Sequence, residues 1–390
     1  MGLIEESRRL APELSASAPE DDKLRRLSDG TWKNLLEGGF LRALQPKRFG
    51  GGEKSLLEFI DAGFELSRSS PSAGWVAGVI GVHPWQLALF PEEAQQEMWG
   101  DDPTKMHSSS YNPTGKAEKV PGGYKVYGRW SFSSGCDHCQ AVNLGAIAGG
   151  RDLGGGQQAP DFRSFLLHRD QYRIEDNWHV AGLRGTGSKD IVVEDAFVPE
   201  YRTQSHLDYT TNAPLPGQVV NEGTLYRLPF SVVFNMALAS SVLGSAQGFV
   251  DMWIEQSRTR TMSLGGGRLA DDPLMQRRLA EATWDIDVAI TRMRADAVVL
   301  WQMGEAREPA SMALRGQMRW NMTRGCERAG RAVDQLFHAA SGRSVFLDQP
   351  LQRRYQDVQA GLAHVYLSSD SPARSVGGTL LGASKPEVIL

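Results

Sequence analysis

Cysteine is scarce. Three in 390 residues, at positions 136, 139 and 326, cannot build a disulfide framework, so a reducing cytoplasm is the expected compartment. Long apolar runs are missing as well: no stretch of about 18 apolar residues occurs, and no membrane span is expected. The opening MGLIEESRRLAPEL is charged and lacks the apolar core of a secretion signal. Gly2 followed by Ser7 misses the spacing for myristoylation. Nor is there an excess of positive charge. The 42 lysines and arginines face 46 acidic residues, for a net charge of −4, which argues against a nucleic-acid partner.

Metal-ligating pairs are lacking too. The eight histidines (83, 107, 138, 168, 179, 206, 338 and 364) include no two that stand three or four residues apart. Cys136 and Cys139, with His138 between them, suggest a metal site or a redox dithiol at first sight. Cys326, however, has no Cys or His within four residues. A thioredoxin-like dithiol would open a helix, whereas the run after Cys139, QAVNLGAIA, reads as a strand. Both thiols are expected to be packing residues. Phosphate loops fail a similar test. In GLRGTGSKD, Ser188 precedes Lys189 and a strand follows, so no helix N-terminus would receive a phosphate. Gly154-Gly155-Gly156 and Gly265-Gly266-Gly267 lack the GxGxxG spacing. With no site for a nicotinamide dinucleotide, electrons must arrive from elsewhere.

What is present is an ordinary globular composition, 41% apolar and 23% charged, in a chain long enough for two or three layers or domains. Residues 20 to 100 read as helices: LRRLSDGTWKNLLEGGFLRAL and LLEFIDAGFELSRSS have apolar positions at helical spacing. Ser70-Pro71-Ser72 then opens the very apolar AGWVAGVIGVHPWQLALF, closed by Pro91. From about 104 to 200 the texture shifts to short alternating runs broken by Gly, Pro and Asn, as in KVYGRWSF and DIVVEDAFV, which predicts a small antiparallel sheet or barrel. After the loose TTNAPLPGQVVNEG, long helices return from 228. Leu279, Ala282, Ile286, Ile290, Met293, Ala297 and Leu300 mark one apolar face, and further helical runs near 310–340 and 348–368 complete a bundle. No fixed-period repeat and no low-complexity segment occurs.

The order helix, sheet, helix resembles the acyl-CoA dehydrogenase fold. GGYKVYGRWSFSSG, GLRGTGSKDIVVEDAFVP, SRTR and SGRSVFLDQPLQRRYQDVQAG carry that resemblance. SSPSAGWVAGVIGVHPWQLALF and SSSYNPTGKAEKV are similar to one branch of the fold. That branch is the two-component flavin-dependent aromatic monooxygenases, such as the 3-hydroxy-seco-steroid and 4-hydroxyphenylacetate hydroxylases. The resemblance implies an α+β protein with an N-terminal helical domain (1–103), a central β-barrel (104–211) and a C-terminal four-helix bundle (212–390). It implies an oxygenase component that takes reduced FMN or reduced FAD from a separate NAD(P)H-dependent reductase. Dioxygen would add to the flavin as a C4a-hydroperoxide, and an aromatic would be hydroxylated: a phenol, a steroid-derived phenol, a polyketide or an indole. A homotetramer, a dimer of dimers, is implied as well.

Site residues follow from the same resemblance. Trp130 would back the flavin ring, and Ser134, with Ser133 as the alternative, would bond near its N5. The spacing of His83, Ser109 and Ser134, 26 and 25 residues, matches the monooxygenase pattern when Ser134 is chosen. His83 and Ser109 would hold the substrate's phenolic oxygen or N–H, and His364 would take its acidic proton, a role that His83 shares as a candidate. Arg258 and Arg260 would meet the flavin phosphate, partly across subunits. Gln335, Ser341 and Gly342 occupy the region that receives the adenosine of FAD in dehydrogenases, but HAASGRSVF departs from the usual diglycine form, so FMN and FAD both stay open. Arg324, Arg328 and Arg331 share a helical face and are expected to form an intersubunit salt-bridge row.

Two other readings compete. Acyl-CoA dehydrogenation needs a carboxylate base after the arginine–aspartate motif, yet from Val358 to Ser369 there is no Asp or Glu. A non-enzymatic, nucleic-acid-binding relative of the fold would need a basic face, which the charge balance opposes.

Overall fold

The computed structural model describes residues 2–152, 158–210, 214–262 and 266–383. Gly154-Gly155-Gly156, Gly265, part of the 210–223 linker and the tail from 384 lie outside them. The first helices are α1 (Leu3–Leu24), α2 (Asp29–Glu37), α3 (Leu56–Ser69), α4 (Pro71–Leu87) and α5 (Glu92–Trp99). α1 starts well before residue 20, although Pro12 and Pro19 lie within it, because Leu3, Leu10 and Leu14 form a buried stripe. The run from Leu24 to Leu44 is not one helix. Arg25 ends α1 in the left-handed region (φ 53°), Ser28 caps α2 by accepting from Thr31 N, and α2 stops before Gly38.

Seven strands follow: β1 (His107–Val120), β2 (Gly123–Ser133), β3 (Ala141–Asp152), β4 (Gln158–His168), β5 (Arg173–Glu175), β6 (Lys189–Pro199) and β7 (Thr203–Ser205). Their order is β5-β6-β2-β1-β3-β4-β7, and β1 and β3 run parallel. The expected antiparallel barrel is thus an open, mixed sheet whose two edge strands have three residues each. β1 also divides its loyalties. It pairs with β2 only from Lys116 onward, while His107 to Ser110 pair with β3.

The gap between the early part of β1 and β2 is closed by side chains. Ser110 Oγ donates to the Ser131 carbonyl at 2.7 Å, Thr114 Oγ1 to the Arg129 carbonyl at 2.6 Å, and Ser133 Oγ to Ser108 Oγ at 3.0 Å. Trp130 is the wedge. Its ring is wholly buried in the sheet's interior, gives its N–H to the Gly145 carbonyl at 2.7 Å, and presses on Gly115, where any Cβ would collide with it. The ring expected to back a flavin therefore packs inside the sheet, because the splayed strands leave a hole of indole size.

The second helical part comprises α6 (Phe230–Arg258), α7 (Pro273–Ala306), α8 (Met312–His338), α9 (Pro350–Leu362) and α10 (Asp370–Leu380). α6 is long and apolar enough to cross a membrane by length and composition, but 94% of its most apolar window is buried in the protein, as befits a core helix. It packs on α3 and α4 as well as on α7, α8 and α9, so the two helical parts share one core. Replacing Trp130 with alanine is expected to lower stability by about 3–5 kcal/mol in a urea melt, the usual cost of emptying a large core site. A loss below about 1 kcal/mol would show that the ring does not hold the sheet.

Candidate active site

α4 carries the first site residues. Pro71 opens it at a position where a missing N–H costs nothing, and every residue except Val79 is buried. Gly74 and Gly78 let it lie against Ser67 and Ala237, whose atoms a Cβ would meet. His83 is wholly buried, its ring centroid 5.1 Å from His107, 5.6 Å from Phe234 and 6.3 Å from Tyr111. Neither ring nitrogen has a partner among the described residues. Burial, with His107 beside it, pushes its pKa well below the usual histidine value, so the ring is neutral.

On β1, strand alternation turns His107, Ser109 and Tyr111 to one face, toward α4 and α6. Tyr111 donates to Gln86 Oε1 and also meets the Ser109 hydroxyl. His206, after β7, lies 5.6 Å from Tyr111 and shares a 2.6 Å hydrogen bond with Ser164 Oγ. Phe230 and Phe234, one turn apart on α6, stack at 4.5 Å, and Tyr209 stacks on Phe230 at 4.2 Å. The result is a closed aromatic box around His83 and His107.

A second cluster lies near the start of α4. Trp75 Nε1 donates to Ser134 Oγ at 3.2 Å, and Ser134, Ser188 and Thr186 form a chain of hydroxyls at 2.7 Å steps. Ser133 is instead held by Ser108. The Trp75 ring stands 5.8 Å from His364, which lies beyond the end of α9 and not in the helix expected over 348–368. Burial pushes the His364 imidazole down to about 4. Its Nδ1 accepts the Tyr366 N–H at 3.2 Å, so the neutral ring carries its proton on Nε2. Asn235, next to Phe234, donates to the Tyr366 carbonyl at 2.5 Å and ties the two clusters together.

Other expected residues lie elsewhere. Arg258 is exposed at the end of α6 and pairs with Glu255 at 3.3 Å. At ~1.5 Å per residue, α6 sets it roughly 40 Å from Phe230 in the same chain. Gln335 and Gly342 are exposed near the end of α8 and in the turn after it, with Ser341 half-buried beside them. Arg324 and Arg331 pair with Glu327 at 2.8 and 2.5 Å, and Arg328 with Asp285 at 2.6 Å. The salt-bridge row expected between subunits is thus satisfied within the chain. Cys136 and Cys139 are buried, bonded to the carbonyls of Gly187 and Gly135, and burial pushes the Cys136 thiol up to about 12.

Sequence reasoning passed over His107, Tyr111, Trp75, Ser188 and the Phe230–Phe234 pair. The His-x-Ser-x-Tyr alternation after residue 106 was the available signal, since a strand turns those three side chains one way. Phe132 was missed as well: its φ of 69° is strained for an aromatic residue, and its ring is 66% exposed against Trp178.

Residues 236–369 match the family described as Acyl-CoA dehydrogenase, C-terminal domain. The chain is 37% identical over 369 residues to the flavin-dependent monooxygenase oxygenase subunit HsaA of Rhodococcus jostii (strain RHA1), covering 94% of each chain. It belongs to the oxygenase components of flavin-dependent monooxygenases. The FADH(2)-dependent resorcinol hydroxylase oxygenase component of Rhizobium sp. (strain MTP-10005) is 32% identical, with 94% of this chain and 91% of that one covered. The crystal structure of 3-HSA hydroxylase from Rhodococcus sp. RHA1 superposes with a TM-score of 0.92 at 34% identity, covering 100% of this chain and 99% of that one. The resemblance read from the motifs is borne out, and the fold is acyl-CoA dehydrogenase-like, with helix and sheet mixed.

Burial of its histidines predicts that the oxygenase loses stability in acid. The unfolded chain protonates His206 near pH 6.5, but burial holds the folded ring down to about 3. Acid therefore favours unfolding, and the stability His206 contributes at pH 7 is lost as the pH falls from 6.5 toward 3. At pH 5 the loss is about 2 kcal/mol. Urea melts at pH 7 and pH 5 should show His206→Gln losing less than the parent by that amount; equal losses would mean that the ring is protonated when folded.

Proposed function

We propose that this oxygenase hydroxylates a largely uncharged aromatic, a phenol or an N–H heteroaromatic such as an indole, with steroid-derived phenols and polyketides in the same range. The observation that carries the reading is the His83 imidazole, neutral and unpartnered inside a box of aromatic rings. A flat apolar substrate replaces ring–ring contacts with others of the same kind. His83 then accepts the hydrogen bond of its O–H or N–H, and Ser109 holds the same group from β1. Proton withdrawal toward His83 raises the electron density of the ring carbon that takes up oxygen. His364, with its proton on Nε2, acts as a donor at the Trp75–Ser134 end, so His83 is the better base.

A flavin fits that end. The Ser134 and Ser188 hydroxyls supply polar contacts for a ring edge, and exposed Phe132 beside Trp178 supplies flat apolar surface. Reduced FMN or reduced FAD, bound there, supplies the electrons that activate dioxygen. The buried surroundings of His83 keep water from the reacting ring. A separate NAD(P)H-dependent flavin reductase is the electron source. Dehydrogenation is the weaker reading: Asp357, the last carboxylate before the acid-free stretch, is buried and accepts the Leu183 N–H at 2.7 Å.

The finer architecture we propose has an N-terminal helical domain (1–103), a central sheet domain (104–211) and a bundle of α6 to α9 (212–390), in a homotetramer in the cytoplasm. Trp284 is 60% exposed in a groove with Val288 and Trp320, and Phe346 and Leu347 stand out beyond α8. Such apolar surface is a natural subunit contact, and across it Arg258 could serve a neighbouring flavin site. Light scattering at micromolar concentration should give four chains; a monomer would count against both points.

The reaction is tested by supplying a flavin reductase, NADH, dioxygen and a phenol. Hydroxylated product is expected, and flavin oxidation without product across phenols and indoles would overturn the reading. His83→Ala should cut product per flavin oxidised by about 10²-fold, with the balance released as hydrogen peroxide. An unchanged ratio would return His83 to a packing role.

A further inference from the structure

His83 is not alone in lacking partners. Both ring nitrogens of His107 and both amide atoms of Asn143 are buried without a hydrogen bond to the described residues. Together with His83 they present six unmatched polar atoms on the side of the sheet that faces α4. The sheet puts them there. β1 and β3 run parallel with His107 opposite Ala141 and Ser109 opposite Asn143, so His107, Ser109 and Asn143 share one face. That face is the one whose next residue, Tyr111, meets His83 and Phe234. His107 itself stacks on His83 at 5.1 Å.

A valence argument bears on the occupant. A phenolic oxygen has one hydrogen to give and two lone pairs to offer, so it can satisfy at most three of those six atoms. Leaving the remainder bare in a dry box is costly. The atoms left over mix donors with acceptors, because neutral imidazole has one of each and a carboxamide has both. A carboxylate, which only accepts, would suit them poorly; a hydroxyl or carbonyl would suit them well.

We propose that His107 and Asn143 form a second polar anchor, by which the oxygenase selects phenols bearing a second uncharged oxygen over phenols with one. The inference rests on the phenol-hydroxylating reading above and names its substrate class. A site built to bond a substrate hydroxyl discriminates strongly against the analogue lacking it, because its own buried groups are then left unpaired.

Resorcinol and 3-methylphenol differ by a hydroxyl in place of a methyl, and they serve as probes in two assays. Binding to the flavin-free protein is followed by tryptophan fluorescence, and hydroxylation by kcat/KM with reductase-supplied flavin. The parent protein should prefer resorcinol by about tenfold or more in both assays. Asn143→Leu and His107→Phe should each collapse that ratio, whereas His107→Gln, which keeps a donor and an acceptor, should retain most of it. Melting curves identify any variant that misfolds, and the other two then decide. No preference in the parent, or a ratio unchanged in the correctly folded variants, would overturn the anchor and show that water satisfies these atoms. A preference in binding with neither probe hydroxylated would keep the anchor and overturn the reading of the reaction.

Discussion

Helix α4 has almost no surface of its own, and the site depends on that. With every residue but Val79 buried, the helix is held by α3 and α6 along its sides and by β1 near its end. Its hydrophobicity is therefore not arranged on one stripe, as in a surface helix, but spread around the axis. Such a helix tolerates a polar side chain only where something will match it. Trp75 is matched by Ser134, and the Gln86 carbonyl by Tyr111, although Gln86 Nε2 lacks a partner among the described residues. His83 is matched by nothing in the described chain, and an unmatched imidazole amid that packing points to a ligand more directly than exposure or charge would.

Much of this was legible from residue order. The apolar face of α7 was, since Ala282, Ile286, Ile290, Met293, Ala297 and Leu300 are all buried as their spacing implies. So were the strand runs, because alternation survives any sheet topology. What alternation does not encode is which strands become neighbours. The parallel β1–β3 pair and the open edges therefore went unread, and with them the destination of Trp130. The indole sits in the hole left where β1 leaves β2, a consequence of register and not of the motif around it. His364 was placed on a helix for a comparable reason. The helical pattern runs on past Leu362, but the chain turns there, and a backbone N–H then dictates which imidazole nitrogen bears the proton.

The histidines show how packing assigns chemistry. Burial pushes His107 and His206 to about 3 and His364 to about 4. None of them is a fixed cation at neutral pH, and a carboxylate substrate would find no permanent charge in these rings. Neutral imidazoles instead read hydroxyl and N–H groups, which lose little when moved from water into a site that bonds them.

The spacing along α4 completes the picture. Trp75 and His83 are eight residues apart, roughly 12 Å of helix at ~1.5 Å per residue. One almost wholly buried rod thus carries a residue from each cluster, and neither cluster can shift without the other. With flavin and substrate at the two ends as proposed, such a fixed separation would decide which carbon receives the oxygen. Loops could supply the same side chains with far less precision. The extreme apolarity of α4, which at first reads as mere core, is what holds the Trp75–Ser134 cluster and the His83 box at a constant distance.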